Sequence, residues 1–207
     1  MNRIDKLPPA FQRYRKMLGV LDFAVFDRVT GSEDEILAAI SLTLGESHIF
    51  DGERLRSLGG ICIREPELFG DWYDLDSGNL LRLGDYRTKG GVELKNPALA
   101  DLDEVKIKSG SWLCPEAGSG GQLAYGFLNP PYGLQGRPSE VQAAFGEIRD
   151  FILPPAHASE IYDWSSPQLP DVSDYFVDGM EWWGVFLFSI HVPALQQLTI
   201  IAGSTTD

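Results

Sequence analysis

Glu181-Trp-Trp-Gly-Val-Phe-Leu-Phe-Ser-Ile190, a break over His191–Gln197, and then Leu198-Thr-Ile-Ile-Ala-Gly203 form the stretch that decides the fold. From Trp182 to Thr206 there is no Asp, Glu, Lys or Arg, in a chain that is 23% charged. Two apolar runs of strand length, separated by a break containing Pro193, read as a C-terminal β pair. A membrane-spanning helix is excluded by length. Only Trp182–Ile190 is nearly continuous in apolarity, well short of the roughly 20 residues a helix needs to cross a bilayer. No Lys or Arg flanks the segment either, so no membrane partner is expected.

The sequence just before this pair is its opposite. Glu160 to Glu181 holds six carboxylates and no Lys or Arg. Glu160, Asp163, Asp171, Asp174, Asp178 and Glu181 alternate with Tyr162, Trp164, Tyr175, Phe176, Trp182 and Trp183. Pro154–Gly179 shows little periodicity and reads as a long irregular loop, a kind of segment that is often functional.

Charge is the unusual bulk quantity: 17 Lys and Arg against 30 Asp and Glu, a net of −13 over 207 residues. Such a chain is repelled by phosphate backbones, and no nucleic-acid partner is expected. The charge is unevenly placed. Arg3, Lys6, Arg13, Arg15 and Lys16 face Asp5 alone in residues 1–16, a net of +4. Residues 137–207 set ten acids against Arg137 and Arg149, a net of −8.

Three main helices are predicted, over about residues 8–18, 33–44 and 139–153. The first has proline in its opening turn, cations in its last turns and Gly19 for the left-handed closing position. The second opens on Ser32-Glu-Asp-Glu35, a capping box, followed by Ile36, Ile40 and Leu44 on one face. The third starts with Ser139 and Gln142 as a capping box and stops at Pro154-Pro155. One or two further turns are expected over Asp51–Leu58. Leu21–Phe26 reads as a strand, and from Ile61 the texture is β. Strands are expected over Ile61–Ile63, Trp72–Leu75, Leu80–Leu83, Val92–Leu94, Val105–Lys108, Ser111–Leu113 and Leu123–Leu128. Asp76-Ser-Gly-Asn79 is a hairpin turn, and Pro115–Gly121 is a loop. The fold class is therefore α+β, with a mostly antiparallel sheet, in a single domain spanning 1–207.

Little in the motifs points to catalysis. Asn129-Pro-Pro-Tyr132 resembles the (Asn/Asp)-Pro-Pro-(Tyr/Phe) motif of amino-group methyltransferases, which implies a target base stacked on the aromatic ring. That family also needs a strand and a glycine-rich loop for S-adenosylmethionine. The Gly-rich run Ala117–Gly121 ends eight residues before Asn129, which leaves no room for a βαβ unit. A turn after a strand is the expectation there. His48, His157 and His191 share no metal spacing, and no cofactor motif is found. Cys62 and Cys114 sit beside apolar residues and read as buried free thiols. With no apolar leader at the N-terminus, they fit a reducing cytoplasm.

Leu7-Pro-Pro-Ala-Phe-Gln-Arg-Tyr14 and Trp72-Tyr-Asp-Leu-Asp-Ser-Gly78 resemble the opening and one hairpin of a family of immunity proteins, which implies a toxin-neutralising role. The charge imbalance points the same way. The leading expectation is a non-catalytic protein that holds a basic protein partner through its acidic C-terminal third. Glu160, Asp163, Trp164, Asp171, Asp174, Tyr175 and Asp178 are the candidate partner-binding residues. Aromatic anchors inside a charged rim are what such surfaces use. The alternative is a small hydrolase acting on a carbohydrate-like substrate. Two of Glu160, Asp163, Asp174 and Glu181 would then serve as acid and base in a Trp-lined cleft.

Overall fold

The two apolar runs form an antiparallel hairpin inside a six-stranded sheet. The computed structural model describes residues 1–112, 122–181 and 183–206. The expected Pro115–Gly121 loop, Cys114 and Trp182 lie outside the described residues. In chain order the elements are β1 (Asn2–Arg3), α1 (Pro9–Lys16), β2 (Asp22–Asp27), α2 (Glu33–Leu44), α3 (Gly52–Leu58), β3 (Ile61–Ile63) and α4 (Glu65–Phe69). There follow β4 (Tyr73–Asp74), β5 (Asn79–Leu80), β6 (Gly84–Thr88), β7 (Glu93–Lys95), β8 (Ile107–Trp112), α5 (Leu123–Leu128) and α6 (Pro138–Ile152). The last are β9 (Glu160–Asp163), β10 (Val185–Val192) and β11 (Gln197–Ser204), with short 3-10 turns between.

The main sheet runs β1-β2-β11-β10-β9-β3, antiparallel throughout. Both of its faces are covered, and each carries its own core. Phe23, Ile161, Phe186, Phe188, Ile190 and Ile201 face α1, α4, α5 and α6. Ala24, Phe26, Val185, Leu187, Leu198 and Ile200 face α2, α3 and the turns of the acidic segment. An antiparallel strand with one wet face alternates apolar and polar residues; one covered on both sides needs apolar residues at nearly every position. That is why β10 and β11 read as uninterrupted apolar runs.

The remaining strands form a β4–β5 hairpin and a three-stranded sheet, β7-β6-β8. The expected turn closes the hairpin, with Gly78 at φ +71°. Gln142 ties it to α6. Its side chain accepts from the Leu80 N–H (2.8 Å) and donates to the Gly78 carbonyl (3.0 Å).

The three main helices form where expected, but several details differ. Leu18, at φ +65°, holds the left-handed position after α1. Gly19 is needed for another reason: a Cβ there would sit 2.2 Å from the Tyr14 ring. At the start of α6 the capping carboxylate is Glu140, which accepts from the Arg137 N–H (3.1 Å). Ser139 instead gives its N–H to Asp103 (2.9 Å). Leu123–Leu128 is a helix, not a strand. Six apolar residues cannot show which period they follow, and Gly126 lets this helix lie against the Phe186 ring, 3.1 Å from where a Cβ would be. Consequently Asn129-Pro-Pro-Tyr132 is a turn after a helix. Of the strands expected at Val105–Lys108 and Ser111–Leu113, Ile107–Lys108 and Ser111–Trp112 are parts of one strand, β8, while Val105 and Lys106 precede it and Leu113 lies outside the described residues. Glu160–Asp163, expected to be irregular, pairs on both sides as β9. Cys62 is exposed on edge strand β3 rather than buried. Among the described residues no helix is long and apolar enough to cross a membrane.

The Ser32 capping box is present, with the Ser32 hydroxyl accepting from the Glu35 N–H. The Thr30 hydroxyl (2.7 Å) and the backbone N–H groups of Thr30 and Ser32 hold the Glu35 carboxyl below its usual range. Two substitutions compare packing with capping. Phe188→Ala should cost about 3–5 kcal/mol, and Ser32→Ala about 1 kcal/mol. Urea denaturation of both variants checks the ranking.

Candidate functional site

The acidic segment is built on buried apolar anchors. After β9, Trp164 turns into the second core, 4% exposed, and its indole N–H donates to Ser189 Oγ (2.9 Å). Ser165 then fixes the chain: its hydroxyl accepts from the Leu187 N–H (3.0 Å), and its own N–H donates to Asp163 (2.8 Å). Three 3-10 turns follow, over Leu169–Asp171, Asp174–Phe176 and Asp178–Met180. Leu169, Val172 and Phe176 point into the core, while Asp171, Asp174 and Asp178 between them are exposed. Three-residue turns give this alternation because every third or fourth side chain returns to one side.

These turns do not stand alone. Asp51 donates its N–H to the Val172 carbonyl (2.8 Å). Arg54 reaches Asp171 (3.2 Å) and Gln168 (2.8 Å). Asp174 accepts from the Ile49 N–H (3.0 Å) and lies 3.2 Å from His48 Nδ1. Tyr175 packs edge-on to His48 and donates its hydroxyl to Asp22 (2.9 Å). Burial first, and the Asp22 charge second, push that phenol well above its usual range. The α2–α3 segment and the three turns thus form one layer. Residues 28–58 and 165–181 hold ten acids against Arg28, Arg54 and Arg56. Arg54 is engaged by Asp171, and Arg56 by Glu33, Asp34 and Glu53. Two large apolar residues whose backbone N–H groups donate to Asp174 are exposed: Ile49 by 75% and Val177 by 53%.

Of the seven candidate residues, Asp171, Asp174, Tyr175 and Asp178 come together on this layer. Trp164 is a core residue and offers no ring at the surface. Glu160 lies at the start of β9, with its carboxylate 2.9 Å from Nδ1 of the buried His191. Asp163 sits opposite Phe188 on the α6 side of the sheet. Ile49 was missed because it is more than a hundred residues from the acidic segment. The signal available was the acidic run at Glu33–Glu35, which the needs of a helix start explain by themselves.

Several groups of the types that catalysis uses are engaged in hydrogen bonds within the fold. Ser189, His191 and Glu160 share one face of the sheet, an acid–base–nucleophile order. Ser189 is 1% exposed, however, and its hydroxyl is held by Trp164. Trp183 is equally buried, with its indole N–H donating to the Asn129 carbonyl (2.6 Å). Glu181 accepts from the Thr206 hydroxyl. Four concavities found among the described residues have no carboxylate of Glu160–Glu181 and no tryptophan in their lining. No cluster of three or more His, Cys, Asp or Glu side chains suited to a metal ion occurs among the described residues.

Comparison with protein-family models, with curated proteins and with solved structures finds no match to this chain. The short resemblances carried by Leu7–Tyr14, Trp72–Gly78 and Asn129–Tyr132 therefore gain no support. Asn129 has local work instead: its side chain reaches the Tyr125 carbonyl at the end of α5 (3.4 Å) while its own carbonyl holds Trp183.

Asp163 makes a pH prediction. Burial raises its pKa above 3.8, and the Ser165 hydrogen bonds only partly oppose this. The native state therefore holds this proton more tightly than the unfolded chain does. The resulting stabilisation is complete below about pH 3.8 and is lost as pH rises through the native value. Asp163→Asn keeps an acceptor for Ser165 and should flatten this part of the stability–pH profile, measured by thermal melts from pH 3 to pH 7. An unchanged slope would show that Asp163 is solvated.

Proposed function

We propose that this chain is a non-catalytic binding protein that takes a basic protein partner on the layer formed by α2, α3 and the turns from Leu169 to Met180. The observation that carries the reading is the exposure of Ile49 and Val177, whose backbone N–H groups both donate to Asp174, within a segment pair of ten acids and three arginines. Apolar anchors ringed by charge of one sign are the usual anatomy of a steered interface. The ion pairs already present are exposed, and each is worth about 1 kcal/mol or less. A cationic partner can therefore replace them at small cost. Neutralisation of a basic toxin is one concrete form of such recognition. The exposed, free Cys62 fits a reducing compartment such as the cytoplasm. The function proposed requires no cofactor, metal or nucleic acid.

Two sets of substitutions separate steering from anchoring. Replacing Asp171, Asp174 and Asp178 together with Asn should slow association with the partner by about tenfold or more at low salt, with a smaller effect at high salt. Ile49→Ala with Val177→Ala should instead speed dissociation. Capture from the native host followed by surface plasmon resonance measures both. If both variants retain every partner with unchanged kinetics, this face has no role in binding.

A further inference from the structure

The opposite charge is concentrated at the other end of the sequence, where the sheet has an unfinished edge. β1 pairs with β2 through Asn2↔Asp27 and Arg3↔Phe26, and the Ile4 N–H still donates to the Val25 carbonyl (2.7 Å). The chain then leaves β2 to reach α1. In an antiparallel ladder, every second residue directs its N–H and C=O to the same neighbouring strand. Val25 directs its groups at β1, so those of Phe23 point where β1 would lie had it continued. The Phe23 side chain is buried in the first core, and the residue lines the groove that opens on this edge.

The diverging segment and β2 enclose a groove of about 740 Å³, within the range of ligand-binding clefts. Arg3, Lys6 and Arg15 line it, together with Leu7, Phe11 and Phe23, and Asp5 is the one acid on its wall. Lys6 and Arg15 are exposed, and neither has a carboxylate within ion-pair distance among the described residues. Arg3 reaches the Leu42 carbonyl (3.2 Å). In a chain of net charge −13, this is a local reversal of sign beside a strand edge that has no partner strand among the described residues.

We propose that this groove binds an extended acidic peptide segment of a partner protein, which adds as a strand to β2 at Phe23 and sets its carboxylates against Lys6, Arg15 and Arg3. Main-chain pairing with alternate side chains in contact is how strand edges recognise peptides. The three cations supply the selection for acidic sequence. A small organic anion would satisfy the cations but would make no use of the Phe23 backbone. This site is independent of the acidic face, so either can fail without the other.

The test uses the full chain and a fluorescein-labelled octapeptide of alternating Glu and Val, followed by anisotropy and by amide hydrogen exchange in ¹⁵N-labelled protein. Expected are saturable binding that weakens with salt and slower exchange of the Phe23 amide in the complex. Lys6→Glu with Arg15→Glu should weaken the affinity by about tenfold or more. Lys16→Glu, which changes an exposed residue of the same helix outside the groove, should have a much smaller effect. Both variants are first shown to melt as the wild type does. The proposal is overturned by absence of saturable binding, by equal binding of an alternating Lys and Val peptide, or by an unaffected double variant. It is also overturned if citrate reproduces the amide shifts and displaces the peptide, which would make this a small-anion site.

Discussion

The constraint on which this structure depends is that β10 and β11 have no wet face. Every residue of Val185–Val192 is buried, so any polar side chain on that strand has to find its partner inside the protein. Ser189 takes the indole N–H of Trp164, and His191 takes the Glu160 carboxylate. Both partners flank or begin β9. The same requirement that makes the core apolar therefore decides how the acidic segment is attached. Trp164 is anchored first, and the three turns are laid over the second core from there.

With both faces of the sheet covered, selectivity has to come from the outer layers. The two poles of the molecule lie on different parts of it. The acidic layer combines segments from near residue 50 and near residue 175, joined by the contacts of Asp51, Arg54 and Asp174. The basic groove comes from one stretch of chain folding back on β2. In the two proposals above, long-range steering by the acidic layer and short-range registration in the groove act on different steps of association.

Much of the fold was legible because three signals are local. The Ser32 and Glu35 box, the proline at the start of α1 and the turn at Gly78 each depend on a few neighbouring residues, and each formed. Leu123–Leu128 was misread because six apolar residues carry no period, and the contact with Phe186 that settles it is long-range. Glu160–Asp163 was read as loop because its strand character comes from pairing with β10 and β3, not from its composition. At the site, the acids were visible in sequence but their sorting was not. Nothing local distinguishes Asp163, which is pressed against the sheet, from Asp178, which faces water. Trp164 looked like an anchor for a partner and is an anchor for the chain itself.

The strand order also bears on how the protein is made. β11 lies between β2 and β10, so the earliest long strand waits beside a gap until residue 204 has left the ribosome. Until then, Phe23 and Phe26 on the two faces of β2 lack the strand that later pairs with it, and α2 has formed without the floor it packs on. Such a topology puts the slow, long-range closure last. The nascent chain then carries apolar surface from the emergence of β2 to that of β11, and chaperone demand should fall sharply once β11 is available.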